Sequence, residues 1–100
     1  YGLYGTETTL ALAAAIAQME GGHKAIITSS GTSAISLALA AFVRAGDHVL
    51  VIDTAYRSTR RFCDEVLTSF GIEVSYFDPR VGDAIDTLIR PNTRMIFLET

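Results

Sequence analysis

The chain has 100 residues, 49% hydrophobic and 19% charged, with two prolines, one cysteine and no tryptophan. A charged share below the ~25% of an average globular domain, joined to so high an apolar content, excludes a disordered segment, a collagen-like chain and a disulfide scaffold, and the longest apolar run, Leu10 to Ala17, is far short of the roughly 20 residues of a membrane-spanning helix. The net charge of −3 and isoelectric point near 5.2 argue against nucleic-acid or anionic-membrane partners, which need a basic face, and a single cysteine with no internal partner makes a reducing, cytoplasmic setting the expectation.

The leader Tyr1-Gly2-Leu3-Tyr4-Gly5-Thr6 is aromatic and punctuated by glycine. Such a segment packs against its own chain or reaches a second subunit. Thr6-Glu7-Thr8-Thr9 opens a capped helix through the alanine-rich Leu10–Glu20, which Gly21-Gly22 ends. Ala25–Thr28 reads as a first strand. A second helix, Thr32 to Arg44, is apolar around nearly its whole circumference and has to be buried on several sides. The second strand is His48–Ile52. A third helix, Ser58 to Phe70, carries Phe62, Cys63, Val66, Leu67 and Phe70 on one stripe and stops at Gly71. Glu73–Phe77 is the third strand, Asp83 caps a short helix to Arg90, and Met95–Leu98 is the fourth strand. Strands alternating with helices predict a parallel α/β sheet. So apolar a composition, with a chain that starts without Met and stops in a strand, is expected of a segment of a larger domain.

In such a sheet ligands bind beyond the carboxyl ends of the strands. Ser29-Ser30-Gly31-Thr32-Ser33 follows the first strand and opens the second helix, so the backbone N–H groups of Gly31, Thr32 and Ser33 offer an anion cradle suited to a phosphate. The same residues also serve as ordinary helix caps. Neither a Walker pattern nor G-x-G-x-x-G is present. After the second strand stands Tyr56, able to offer a flat face to an aromatic ligand, or equally to pack in its loop. Asp78 and Glu99 lie at the same sheet edge and read equally as turn or cap residues. His23, Lys24 and His48 sit at strand entrances and are read as surface or loop residues. Cys63 is read as a small core residue. Arg60 and Arg61 are read as solvated, with contact to a substrate carboxylate as the alternative. No metal site is assigned.

Taken together, the order and spacing of these segments resemble the trans-sulfuration family of pyridoxal-phosphate enzymes over essentially all 100 residues. The carriers are Tyr1-Gly2-x-x-Gly5-Thr6-x-Thr8-Thr9, Leu12 to Glu20-Gly21-Gly22, Ser30-Gly31-Thr32-Ser33-Ala34, Ala45-Gly46-Asp47-His48-Val49-Leu50, Thr54-Ala55-Tyr56, Tyr76-Phe77-Asp78-Pro79, and Pro91-Asn92-Thr93 through Phe97-Leu98-Glu99. The resemblance implies a fragment (1–100) of the large domain of a fold-type I, aspartate aminotransferase-like enzyme, α/β with a mainly parallel sheet and helices on both faces. It implies pyridoxal 5'-phosphate as cofactor and a homo-oligomer, a dimer of dimers.

Position by position, Gly31 and Thr32 match the backbone donors to the cofactor phosphate, with Ser33 beside them. Tyr56 matches the aromatic that stacks on the pyridine ring and is associated with the substrate's amino group. Tyr1 matches a tyrosine that crosses to the neighbouring subunit, contacts the phosphate there and lies close to the reacting substrate. Leu3 departs from the pattern, which usually has an arginine directed at the phosphate. The lysine that holds the cofactor covalently and the aspartate that pairs with the pyridinium nitrogen are expected beyond Thr100, as is the small domain, because Lys24 is the only lysine. The implied reaction is α,β-elimination of cystathionine to homocysteine, pyruvate and ammonia. Two alternatives stay open: the γ-synthase and γ-lyase chemistries of the same family, and a non-catalytic homologue that binds cofactor or a partner.

Overall fold

A computed structural model describes residues 2–100, in two compact units divided between Ala34 and Ile35. The first unit holds a 3-10 turn, Gly2–Tyr4, and helix α1, Glu7–Glu20. The predicted start of α1 is present as a reciprocal box: Thr9 N–H donates to Thr6 Oγ1 at 3.2 Å and Thr6 N–H donates to Thr9 Oγ1 at 2.8 Å. Gly21 ends the helix in the left-handed region at φ 66°, where a side chain is strained. Helix α2, Gly31–Ala41, begins at the end of this unit.

The second unit is built on a parallel three-stranded sheet in the order β2-β1-β3, with β1 His48–Ile52, β2 Glu73–Phe77 and β3 Thr93–Phe97. The nearly continuous apolar run of β1 is explained by its central place, since four of its five residues are buried. Its register runs His48↔Glu73 to Ile52↔Phe77 against β2, and His48↔Thr93 then Val49↔Met95 against β3. Arg94 is therefore the extra residue of a bulge. Val49 and Val51 join Leu39 of α2, Cys63 and Leu67 in the buried core, and strand alternation turns His48 and Leu50 to the opposite face.

Three expectations are corrected. The predicted first strand, Ala25–Thr28, has no ladder partner among the described residues, and Ile26 is exposed. Its sequence carries strand propensity, but a strand exists only by pairing. The third helix is not uniform: α3 spans Arg57–Arg61, continues as a π-helical stretch Phe62–Leu67, and closes in a 3-10 turn Thr68–Phe70. Tyr76 of β2 explains the widening, because its hydroxyl donates to Asp64 Oδ1 at 2.6 Å and reaches the Arg60 carbonyl at 3.3 Å, entering the helical ladder where the bulge forms. Only Cys63 and Leu67 of the predicted stripe are buried. Finally, Asp83 lies inside a 3-10 run, Gly82–Leu88, that has no side-chain cap.

Candidate functional site

At the carboxyl edge of the sheet, Asp53 N–H donates to the Phe77 carbonyl at 2.8 Å and Ala55 N–H to the Ile52 carbonyl at 3.1 Å. These bonds turn the chain out of β1 and deliver Tyr56 as the residue that precedes α3. Tyr56 has extended backbone angles, φ −54° and ψ 149°, and makes no side-chain cap. Tyr56 is 67% exposed. Its backbone N–H donates to Glu99 Oε2 at 2.5 Å, and the Thr59 hydroxyl donates to Glu99 Oε1 at 3.3 Å.

Beside this turn, Arg60 Nη1 donates to Asp53 Oδ1 at 2.6 Å and to the Asp53 carbonyl at 2.9 Å, while the guanidinium lies 3.9 Å from the centre of the Tyr76 ring. Arg60 is half-buried and engaged, which corrects its reading as a solvated residue. Burial, followed by the Asp64 hydrogen bond, raises the Tyr76 phenol above its ordinary range. It therefore stays protonated and acts as a donor. Asp78, also at this edge, spends both carboxylate oxygens on the backbone and side chain of Arg80, which hold it below the usual carboxylate range. It serves its own turn.

The first unit contains the residues predicted to form an anion cradle. Ser30 Oγ accepts Ser33 N–H at 3.1 Å, and the Ser30 hydroxyl donates to Ser33 Oγ at 3.0 Å. Ser30 is thus the helix cap and Ser33 its N3 partner, so the Ser33 amide is not free for an anion. The amides of Gly31 and Thr32 have no acceptor among the described residues. A Cβ built on Gly31 meets nothing within 4 Å. Two free amides at the first turn of an 11-residue helix, with an open approach over a glycine, fit a phosphate group.

Tyr1 lies outside the described residues, and Leu3 is exposed in the opening turn. His48 overturns its reading as a surface residue: it is fully buried. Thr59, 2% exposed, escapes sequence reasoning because a threonine in Arg57-Ser58-Thr59-Arg60-Arg61 carries no local signal of burial. Among the described residues no group of three or more His, Cys, Asp or Glu is placed to hold a metal ion, and no helix is long and apolar enough to cross a membrane.

Comparison with known proteins gives this geometry its context. The cystathionine beta-lyase of Haemophilus influenzae is 43% identical over 99% of this chain and 25% of its own length. The L-alanine/L-glutamate racemase of Wolbachia pipientis is 40% identical over 100% of this chain and 24% of its own. The crystal structure of cystathionine gamma-lyase from Lactobacillus plantarum complexed with L-serine superposes with a TM-score of 0.92 at 37% identity, covering 100% of this chain and 26% of that one. The chain thus spans about a quarter of the length of these relatives, and its α/β architecture is that of fold-type I lyases. Residues 1–100 match throughout the profile described as Cys/Met metabolism PLP-dependent enzyme, and the chain belongs to that family of pyridoxal-phosphate-dependent enzymes.

Proposed function

We propose that the whole protein is a pyridoxal-phosphate-dependent carbon-sulfur lyase that cleaves cystathionine, with water, to homocysteine, pyruvate and ammonia. The observation that carries this reading is the 43% identity to the H. influenzae cystathionine beta-lyase across 99% of the chain. When bound, pyridoxal phosphate supplies a sink for the electron pair left at the substrate's α-carbon, so that the thiolate departs from the β-carbon. The chain's own contribution is positional. Gly31 and Thr32 direct free amides at the phosphate, the exposed Tyr56 ring offers its face to the pyridine ring and its hydroxyl to the substrate's amino group, and Tyr1 reaches the neighbouring subunit's phosphate. The lysine and aspartate that complete the site, and the small domain, belong to the protein outside residues 1–100. The assembly is a homotetramer, its setting the cytoplasm and its place methionine biosynthesis.

The test uses the full-length protein. Added pyridoxal phosphate should give a bound-cofactor absorbance that survives dialysis, and cystathionine should then yield pyruvate. Release of 2-oxobutyrate in its place would make the enzyme a γ-lyase, and interconversion of alanine enantiomers without a keto acid would make it a racemase. Cofactor uptake with no turnover would leave a non-catalytic homologue, the reading that Leu3 favours by removing a charged phosphate contact.

A further inference from the structure

We propose that Glu99 is a positioning residue that fixes the Tyr56 ring by anchoring its backbone. This inference rests on the reading that Tyr56 stacks on the cofactor. In a capping box the N-cap N–H is accepted by the side chain at N3. Here the N-cap is Tyr56 and the N3 residue is Thr59, whose hydroxyl turns to Glu99 and not back to the Tyr56 N–H. The Tyr56 N–H is instead accepted by Glu99 Oε2 at 2.5 Å, and Thr59 donates its own hydroxyl to Glu99 Oε1 at 3.3 Å. One carboxylate, 43 residues away and just past β3, completes the box from the neighbouring strand.

The consequence lies in what the ring does not have. Tyr56 is 67% exposed and its side chain makes no hydrogen bond among the described residues. Its placement is therefore set from the backbone, by the turn after β1 and by the Glu99 carboxylate. Thr59 is buried, so the second leg of the clamp is held by packing. A clamp between β3 and the start of α3 converts the rigidity of the sheet into a fixed direction for the Tyr56 Cα–Cβ bond, and a misplacement of about 1 Å at a reacting centre costs on the order of a hundredfold in rate.

The test compares full-length wild type with Glu99→Ala, Glu99→Gln and Glu99→Asp. Glu99→Ala should retain its cofactor on dialysis, because Gly31 and Thr32 hold the phosphate. Its kcat should fall about tenfold or more with KM within about threefold, its visible circular dichroism should weaken, and in cofactor-free protein the amide of Tyr56 should exchange faster. Glu99→Gln keeps an acceptor oxygen at the same reach and should stay within about threefold of wild type, whereas Glu99→Asp keeps the charge but falls a methylene short and should show the loss. That order separates positioning from charge, and it is read on the Gln and Asp variants alone where Glu99→Ala yields no folded protein. Wild-type kcat, dichroism and exchange in Glu99→Ala, or Glu99→Asp outperforming Glu99→Gln, would overturn the proposal. Wild type that takes up no cofactor fails the lyase reading itself, while the amide exchange still reports on the clamp.

Discussion

His48 Nε2 lies 2.9 Å from Ser75 Oγ and its Nδ1 lies 2.6 Å from Thr93 Oγ1, so one buried ring on the central strand ties the middle of β2 to the start of β3. Arg90 closes the cluster, donating its amide to Thr93 Oγ1 at 2.7 Å, Nη2 to Ser75 Oγ at 3.3 Å and Nη1 to Glu73 Oε2 at 2.9 Å. Burial first, and then the Arg90 guanidinium, hold the imidazole below its ordinary range, with Glu73 opposing them.

A pH dependence follows. Because the folded pKa lies below the unfolded value of about 6.5, His48 contributes stability that is fully present above that value. This contribution is lost as pH falls toward the folded pKa, since the unfolded chain takes the proton first. The thermal midpoint of the full-length protein should therefore drop more between about pH 7.5 and about pH 5.5 in wild type than in His48→Asn. Parallel pH profiles for the two proteins would show that His48 carries none of the dependence.

The core gives a second expectation. Leu39 is fully buried against Val49, Val51, Cys63 and Leu67, so Leu39→Ala should destabilise by about 2–5 kcal/mol through lost transfer energy and a residual cavity. Denaturant titration measures it, and a change below about 1 kcal/mol would mean that the site collapses onto the gap.

Cys63 should be inert. Burial, with Asp64 next, pushes its thiol up to about 11, which leaves very little thiolate at neutral pH, and the side chain is fully enclosed. Iodoacetamide applied to native protein should leave the Cys63 peptide unmodified by mass mapping, and urea should expose it. Rapid native alkylation would contradict the packing of the stretch Phe62–Leu67.

Much of this was legible locally. The bounds of β1 and β2 and the capped α1 follow from apolar runs, Thr6-x-x-Thr9 and Gly21, because each signal lies within a few residues of the element it sets. The serine cap at Ser30, ahead of α2, is legible for the same reason. What escaped depends on partners distant in sequence. Tyr76 widens the helix from 12 residues beyond Asp64, His48 is satisfied by Ser75 and Thr93 at separations of 27 and 45, and Glu99 reaches Tyr56 across 43. The strand at Ala25–Thr28 fails by the same physics in reverse: its propensity is local, but its hydrogen bonds need a neighbour.

Gly31 offers the sharpest separation of fold from ligand. It is the first residue of α2, is absent from the glycines at positive φ, and a Cβ there meets nothing within 4 Å. The chain alone therefore tolerates a side chain, and Gly31→Ala should even favour the helix slightly. A phosphate seated on the amides of Gly31 and Thr32 would meet that side chain directly. In the full-length protein, Gly31→Ala should weaken cofactor retention and Gly31→Val weaken it further, by about tenfold or more in Kd, while far-ultraviolet circular dichroism of the cofactor-free variants matches wild type. Since the residue does no conformational work that only glycine can do, loss of cofactor with an intact fold leaves close approach of a ligand as the reason for its identity. Wild-type cofactor content in both variants after dialysis would remove the phosphate from this helix.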